Sequence, residues 1–296
     1  MKTAADAATL TGAHSRASDF VALAKPRLNL LVLMSALAGY VMGHGRADGV
    51  LLASMLVGTA LVAAGASAFN QVLERDTDQL MRRTRLRPLP DGRLGASEGV
   101  LFATALSLGG LLILAAGANV LSAAVALATL LSYAALYTPL KRRSSFATVI
   151  GAIPGALPPV IGWAAATDTL SRGGWVLFGI LFLWQLPHFL AIAWMYREDY
   201  ARAGLLMLPV IEPDGRSTGR QAVAYAGALL PLSLAPTLVG MAGATYFVGA
   251  LALSLVFLWL SVTFARTRAV PDAKRLFLGS IAYLPLIWIL MIANRL

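Results

Sequence analysis

Three polar side chains stand four residues apart where the second long apolar stretch of the chain ends. They are Asn70, Glu74 and Asp78. On a helix, a step of four residues places successive side chains on one face, about 6 Å apart along the axis. Two carboxylates and an amide on one face can hold a hard divalent cation such as Mg²⁺, which usually binds phosphate as well. The alternative is an acidic helix end that faces solvent.

The segment that follows this acidic step is rich in arginine. Arg82, Arg83, Arg85 and Arg87 fall within one short stretch. Because the guanidinium fork binds phosphate oxygens in pairs, these side chains predict a site for a diphosphate. The simpler interpretation is that they only set the orientation of a membrane protein.

A second pair of residues could serve the same chemistry. Tyr137 and Lys141 are again four apart, and Arg142 follows directly. A lysine ammonium binds phosphate as a point charge, and a tyrosine ring can stabilise a carbocation through its π face. Alternatively, this is an interfacial tyrosine followed by basic residues that anchor the end of a helix.

The sixth apolar stretch carries a third group of polar residues, Trp184, Gln185 and His188. Ionisable groups at membrane depth usually face the interior of a helix bundle and mark function. Imidazole is a good iron ligand, so His188 is a candidate for binding haem iron. The alternative is a neutral histidine that hydrogen-bonds a neighbouring helix.

An acidic residue follows this stretch in a short polar segment. Asp199 comes after Tyr196 and Arg197, and its expected depth is comparable to that of the first acidic step. It is therefore a candidate for a second metal position. Alternatively, it pairs with Arg197 or Arg202 in the same segment.

Membrane helices are the elements that must position these groups. The chain has 296 residues, of which 58% are hydrophobic and only 13% are charged. About 20 apolar residues are needed to cross the hydrocarbon core. The stretches of that kind are 28–44, 49–73, 98–116, 119–138, 146–166, 174–196, 221–240, 243–263 and 276–293. They predict an all-α polytopic membrane protein with nine transmembrane helices that form a bundle around a central cavity.

The distribution of basic residues predicts the orientation of the chain. The net charge is +10, yet only Arg46, Arg172 and Arg295 fall on the side opposite the N-terminus. Basic residues favour the cytoplasmic side, so we expect an N-in, C-out topology in the cell inner membrane, with the acidic step facing the cytoplasm. Residues 1–24 are expected to form a cytoplasmic segment without a cleaved signal. Most of the positive charge then sets the orientation of the chain in the membrane. The remainder can bind anionic substrates or membrane lipids, and none of it requires nucleic acid as a partner.

Taken together, these residues resemble the UbiA prenyltransferase superfamily. Its first signature is Asn-x-x-x-Asp-x-x-x-Asp, which Asn70, Glu74 and Asp78 match with Glu in the middle place. Its Tyr-x-x-x-Lys element corresponds to Tyr137 and Lys141. The likeness is greatest to the branch that farnesylates protohaem IX. The strings that carry it are 24–27, 74–78, 81–84, 87–89, 137–142, 149–151, 158–163, 184–189, 199–204 and 207–209.

The resemblance implies a role for each matching residue within a single transmembrane prenyltransferase domain over residues 25–296. The catalytic residues would be Asn70, Glu74, Asp78, Tyr137 and Lys141. Mg²⁺ would be bound by Asn70, Glu74 and Asp78, with Asp199 as a further ligand. The substrate-binding residues would be Lys25, Arg27, Arg82, Arg83, Arg87, Lys141, Arg142, Trp184, Gln185, His188, Tyr196 and Arg197.

One departure from the superfamily pattern bears on the substrate. Many members carry a second pair of aspartates after the sixth span, whereas Met195 and Ala203 stand four residues on either side of Asp199. The branch that modifies haem is similar in this reduced form. The departure therefore favours a haem substrate over a quinone precursor.

The reaction that the resemblance implies is transfer of a farnesyl group from farnesyl diphosphate to a vinyl group of haem b, with water entering, to give haem O. Mg²⁺ is the cofactor, haem is a substrate, and a downstream haem-modifying membrane enzyme is a further suggested partner. Two other functions stay open: a prenyltransferase for an aromatic quinone precursor, and a secondary transporter. A transporter usually places its ionisable groups near the bilayer midplane. A structural assembly factor would leave the acidic step without a purpose.

Overall fold

A computed structural model describes residues 15–44 and 48–296, and these residues form helices joined by short loops. Residues 1–14 of the expected N-terminal segment, and Arg46, lie outside the described residues. A π-helical segment (Ser132–Tyr137) joins the helix Val120–Leu131 to the short helix Thr138–Leu140. The α-helices are α1 (Arg16–Ala24), α2 (Pro26–Met42), α3 (Gly49–Leu73), α4 (Arg75–Leu80), α5 (Ala96–Gly117), α6 (Val120–Leu131), α7 (Thr138–Leu140), α8 (Ala147–Ala156), α9 (Pro158–Thr167), α10 (Arg172–Met195), α11 (Arg197–Arg202), α12 (Leu208–Ile211), α13 (Arg216–Leu238), α14 (Ala244–Thr267) and α15 (Val270–Ala293).

The nine predicted crossings are confirmed within the described residues. Each is a helix, or a nearly continuous set of helices, that is long and apolar enough to span a bilayer. They are Arg16–Met42, Gly49–Leu73, Ala96–Gly117, Val120–Leu140, Ala147–Thr167, Arg172–Met195, Arg216–Leu238, Ala244–Thr267 and Val270–Ala293. The chain is therefore a multi-pass membrane protein.

The first crossing begins earlier in the structure than the hydropathy pattern predicts. α1 is helical from Arg16 and buries Leu23 against Ala68 of α3 and Ala103 of α5. The Leu23 carbonyl also accepts a hydrogen bond from Gln71, at 2.9 Å. α1 is thus packed on the bundle, and the boundary of the domain at residue 25 stays a prediction.

Small residues let the helices of the bundle approach closely. A Cβ atom added to Gly39 of α2 would lie 1.9 Å from the Pro159 carbonyl oxygen of α9. One added to Gly162 of α9 would lie 1.8 Å from the Ala36 carbonyl oxygen of α2. Apolar helices gain little hydrophobic energy from each other in lipid, so such backbone contacts supply much of their packing.

Three interruptions of the helices converge on one end of the bundle. Lys25 separates α1 from α2 in a left-handed conformation with φ 48°. Glu74 separates α3 from α4 with φ −97° and ψ 5°. The third interruption is the π-helical segment. Residues of all three line the same cavity, so these three interruptions meet at one place. The fifth crossing is interrupted separately, at Leu157 between α8 and α9.

The loops at this end are joined to each other. Met81, which follows α4, packs with Ala193, Ala203, Leu205 and Met207 in a small apolar cluster. The Leu206 amide donates a hydrogen bond to the Lys141 carbonyl, at 3.0 Å. Three segments that are distant in sequence are thereby fixed against one another over the cavity.

The α2–α9 contact predicts unequal effects of two similar substitutions. Gly39→Ala should destabilise the protein by about 1 to 3 kcal/mol, because the new methyl group overlaps the Pro159 backbone. Gly109→Ala on α5 is the matched control, because nothing lies within 4 Å of its added Cβ atom. Thermal unfolding in detergent measures both, and equal melting temperatures would contradict the close contact.

Candidate active site

A cavity of about 200 Å³ opens where the three interruptions meet. It contains acidic, amide, basic and aromatic side chains, and it brings together all five residues that the four-residue spacings single out. Its polar and aromatic lining residues are Lys25, Asn70, Glu74, Asp78, Arg83, Arg87, Tyr133, Tyr137, Lys141, Phe189 and Tyr200.

Each carboxylate of the cavity is paired with one cation. The Lys141 ammonium lies 2.7 Å from Glu74 Oε1, and both side chains are largely buried. The Arg87 guanidinium donates to Asp78 Oδ2 at 2.6 Å, and the Asp78 side chain is only 1% exposed. Buried charge is costly unless it is compensated, so these pairs hold the acidic residues in place.

The acidic step keeps its helical hydrogen bonds across the interruption at Glu74. The Glu74 amide donates to the Asn70 carbonyl at 2.9 Å, and the Asp78 amide donates to the Glu74 carbonyl at 2.7 Å. The rise of four residues is therefore preserved although the helix changes from α3 to α4. As a result, all three side chains reach the same cavity.

Two oxygen atoms of the acidic step are available to a ligand. Asp78 Oδ1 is buried and has no hydrogen-bond partner among the described residues. The Asn70 side-chain nitrogen donates to Thr138 Oγ1 at 3.3 Å, which leaves its carbonyl oxygen as the free end. A buried polar atom without a partner is unfavourable, so Asp78 Oδ1 indicates that this cavity accepts a further polar or cationic group.

The donor set fits Mg²⁺ bound together with a phosphate. No group of three or more His, Cys, Asp or Glu side chains is placed to hold a metal within the described parts of the chain. Mg²⁺ does not require one, because it keeps several water molecules and is usually bound by one or two carboxylates plus substrate phosphates. Asn70, Glu74 and Asp78 supply that number of oxygen donors.

The π-helical segment shapes the opposite wall. The Tyr133 and Tyr137 ring centroids are 5.4 Å apart, and the Lys141 ammonium lies 4.3 Å from the Tyr137 ring centre. Thr138 donates its hydroxyl to the Tyr133 carbonyl at 2.9 Å while accepting from Asn70, so this wall is tied to the acidic step. π-Helical turns occur often at functional sites.

Lys141 remains positively charged in this setting. Burial disfavours its ammonium form, but the neighbouring Tyr137 and Glu74 oxygens outweigh that effect and raise the pKa of Lys141. The side chain can therefore bind an anion without first taking up a proton.

The predicted basic residues divide into two groups. Lys25, Arg83, Arg87 and Lys141 line the cavity. Arg27, Arg82 and Arg142 are not among the lining residues. Arg27 lines a shallow cavity beside α1, and Arg142 lines one of about 280 Å³ that also reaches Glu74.

Asp199 lies in α11 and is not among the residues that line the cavity. It forms an ion pair with Arg202, one of the two partners expected for it, and accepts the Arg82 amide at 3.4 Å. Tyr196 stacks on Arg83, and Arg197 lies over Trp194. Roles for Asp199 as a metal ligand, and for Tyr196 and Arg197 in substrate binding, stay predictions.

The polar residues of the sixth crossing bind other helices. His188 Nδ1 is 2.7 Å from Ser280 Oγ of α15, and the Trp184 indole donates to the Ser280 carbonyl at 2.9 Å. Gln185 donates to the Ala152 carbonyl of α8 at 2.8 Å. The next residue along, Phe189, lines the cavity. Substrate contacts of Trp184, Gln185 and His188 stay predictions.

Sequence reasoning missed three aromatic residues of the cavity, Tyr133, Phe189 and Tyr200. Tyr133 stands four residues before Tyr137, so extending the four-residue spacing one step upstream would have found it. Tyr200 meets Arg83 from a segment 117 residues away, and no local pattern indicates that contact.

A family model decides where the chain belongs. The model of the UbiA prenyltransferase family matches residues 32–288, which include both four-residue motifs. The chain belongs to the UbiA prenyltransferase family. As a member of a transferase family, it is an enzyme, and its acidic step and Tyr-x-x-x-Lys element both lie at the cavity described above.

Two curated relatives cover almost the whole length of this UbiA family member. Protoheme IX farnesyltransferase of Solibacter usitatus (strain Ellin6076) is 51% identical over 287 residues, which are 94% of this chain and 98% of that protein. Protoheme IX farnesyltransferase of Koribacter versatilis (strain Ellin345) is 42% identical over 296 residues, 96% of this chain and 95% of that protein.

Solved structures of the family share the fold at low sequence identity. Digeranylgeranylglyceryl phosphate synthase superposes with a TM-score of 0.78 at 16% identity and covers 94% of this chain and 98% of its own. A UbiA homolog from Archaeoglobus fulgidus bound to GPP and Mg²⁺ gives 0.65 at 16% identity, with 93% and 99% coverage. These likenesses establish the arrangement of helices.

The Glu74–Lys141 pair predicts a compensating pair of substitutions. Lys141→Met should lower the free energy of unfolding by about 2 to 3 kcal/mol, because it leaves the Glu74 carboxylate buried without a partner. Adding Glu74→Gln removes that charge and should restore most of the stability. Denaturation in detergent measures both variants, and a double variant less stable than Lys141→Met would contradict the interpretation.

Proposed function

We propose that this enzyme transfers a farnesyl group from farnesyl diphosphate to a vinyl group of protohaem IX, with addition of water, to give haem O. The observation that carries the proposal is a single cavity in which Asn70, Glu74 and Asp78 face several cations. That arrangement suits a diphosphate bound with Mg²⁺. The acceptor is proposed from the relatives named protoheme IX farnesyltransferase.

In the donor half of the reaction, the allylic C–O bond breaks and the electron pair leaves with diphosphate. Lys25, Arg83, Arg87 and Lys141 bind the diphosphate oxygens and compensate their charge. Mg²⁺ held by the acidic step would supply further stabilisation of the developing negative charge. Because these positive groups are already in place, little reorganisation is needed when the bond breaks.

In the acceptor half, the vinyl π electrons of haem attack the first carbon of the farnesyl cation and form a C–C bond. The second carbon of the vinyl group becomes cationic, and water adds to it and loses a proton. The Tyr133, Tyr137 and Phe189 rings form the wall beside which the first cation would develop. The apolar side chains of Ile192 and Met207 limit premature capture by water.

A second cavity supports the use of two anionic substrates. It has a volume of about 430 Å³ and is lined by Lys25, Arg87 and Arg93, of which the first two also line the diphosphate cavity. We propose these shared cations as partners for the haem propionates. His188 is proposed to orient or ligate the haem.

The charge distribution also supports a proposed orientation of the protein in the membrane. The basic residues at the cavity end favour an N-in, C-out topology, with the cavity facing the cytoplasm from the inner membrane. Farnesyl diphosphate would then enter from the cytosol. The product would stay in the membrane, where a downstream haem-modifying membrane enzyme could accept it.

Direct assay of the purified protein tests the proposal. Incubation with haem and farnesyl diphosphate should yield a haem whose mass has increased by one farnesyl group and one hydroxyl group. The product should be lost when Mg²⁺ is removed by chelation and regained when it is added back. Mass spectrometry of extracted haem is the measurement, and unmodified haem in every sample would refute the activity.

The acidic step predicts which carboxylate is indispensable. Asp78→Ala should reduce turnover by at least a thousandfold, because it removes both the Arg87 partner and the free Oδ1 atom. Asp76→Ala is the matched control, because this neighbouring side chain is exposed and, among the described residues, forms its ion pair with Arg75. Turnover of the Asp78 variant within tenfold of the wild type would count against the metal assignment.

The proposed haem contact predicts weaker haem binding when the imidazole is removed. His188→Ala should raise the dissociation constant for haem several-fold and shift the Soret band. His44→Ala is the control: His44 follows α2 at the end opposite Lys25, and its loss should change neither quantity. Spectral titration of both variants provides the measurement. A His188 variant that titrates like the wild type would remove this role.

A further inference from the structure

The guanidinium of Arg83 is held by two tyrosine rings above the cavity. Its Cζ atom lies 4.9 Å from the centre of the Tyr196 ring and 5.1 Å from that of Tyr200. Its Nη2 atom donates a hydrogen bond of 2.8 Å to the Tyr200 hydroxyl. An exposed arginine normally samples many rotamers, and confining it costs entropy. These contacts supply the energy that confines Arg83 at the cavity.

Two neighbouring residues of α11 hold two neighbouring residues of the arginine-rich loop. Tyr200 binds the Arg83 side chain, while Asp199 accepts the Arg82 amide at 3.4 Å. Arg202 in turn pairs with Asp199. The position of the Arg83 guanidinium is thus set by a segment that meets it only in the folded protein.

The Tyr200 hydroxyl still has a proton to donate. It accepts from Arg83, so its own O–H remains free for a second hydrogen bond. Tyr200 also lines the cavity that contains Glu74 and Asp78.

We propose that Tyr200 is a further diphosphate-binding residue: it fixes Arg83 toward the cavity and donates its hydroxyl proton to an oxygen of the bound diphosphate. The inference rests on the proposed function in one respect, namely that the cavity takes a prenyl diphosphate. A tyrosine hydroxyl that accepts a hydrogen bond from arginine is polarised by it, so the hydrogen bond that the hydroxyl donates to phosphate becomes stronger. Arg83 and Tyr200 would therefore act as a unit.

The test measures affinity for a donor that cannot react. The probe is farnesyl S-thiolodiphosphate, in which sulfur replaces the bridging oxygen, titrated calorimetrically with Mg²⁺ into the full-length protein. Tyr200→Phe keeps the ring over Arg83 and removes only the hydroxyl. It should weaken binding on the order of tenfold, as expected for loss of a hydrogen bond to a charged group. It should also raise KM for the donor more than it lowers kcat.

A double-mutant cycle distinguishes this role from a purely structural one. Arg83→Met should weaken binding at least as much as Tyr200→Phe. If the two residues act as a unit, the double variant should lose clearly less than the product of the two single effects. Effects that multiply, or an unchanged affinity in Tyr200→Phe, would overturn the inference.

A matched control removes a tyrosine hydroxyl elsewhere in the bundle. Tyr246 of α14 donates to the Ser233 carbonyl of α13 at 2.7 Å, so Tyr246→Phe loses a hydrogen bond of similar length. It should lower the melting temperature and leave the affinity for the probe within twofold of the wild type. An equal loss of affinity in this control would show that Tyr200→Phe acts through the fold and would overturn the inference.

The probe contains no haem, so the two proposals can fail separately. A wild-type protein that binds the probe but never modifies haem refutes the proposed function and leaves the role of Tyr200 intact if the cycle holds. A wild-type protein that makes the product, with Tyr200→Phe binding the probe normally, refutes only the role of Tyr200. A wild-type protein that does not bind the probe refutes both.

Discussion

Charge compensation at low dielectric is the constraint on which this structure depends. The Glu74 and Asp78 side chains are largely buried, and each is paired with one cation. Lys141 pairs with Glu74, and Arg87 pairs with Asp78. Such pairs contribute little net stability, since desolvation offsets most of the attraction. What the pairs determine is geometry. Breaking either pair is costly, so together they hold three separate segments around one cavity. The same charges can then exchange partners when an anionic ligand and a divalent cation enter together.

Three interruptions of the membrane helices surround that cavity. Helices elsewhere satisfy their own hydrogen bonds, as a membrane requires, and non-helical backbone is tolerated only where protein or a polar cavity surrounds it. The interruptions at Lys25 and Glu74 and the π-helical segment meet this condition, since residues of all three line one cavity. Away from it, close approaches such as Gly39 on Pro159 keep the helices packed.

Much of this arrangement could be predicted from the sequence, for physical reasons. Hydropathy alone identifies the nine crossings, because a membrane helix must be apolar along its whole length. Asn70, Glu74 and Asp78 stay on one face across the interruption at Glu74, because the helical hydrogen bonds continue through it. The partners of these residues could not be predicted in the same way. Lys141 reaches Glu74, and Ser280 reaches His188, only through packing of distant helices. Hydropathy did not predict that α1 belongs to the first crossing, because polar residues of α1 interrupt an otherwise apolar span.

The π-helical segment also fixes something that no single side chain determines. Its six residues, Ser132–Tyr137, contain a wider turn than an α-helix would allow. If the same six residues closed into a regular α-helix, everything beyond them would rotate by about 100°. Lys141 would then face away from Glu74, although every residue of the site would still be present. The π-helical turn is therefore under the same constraint as the chemistry of the site, and substitutions there should be tolerated only where they leave the wide turn in place.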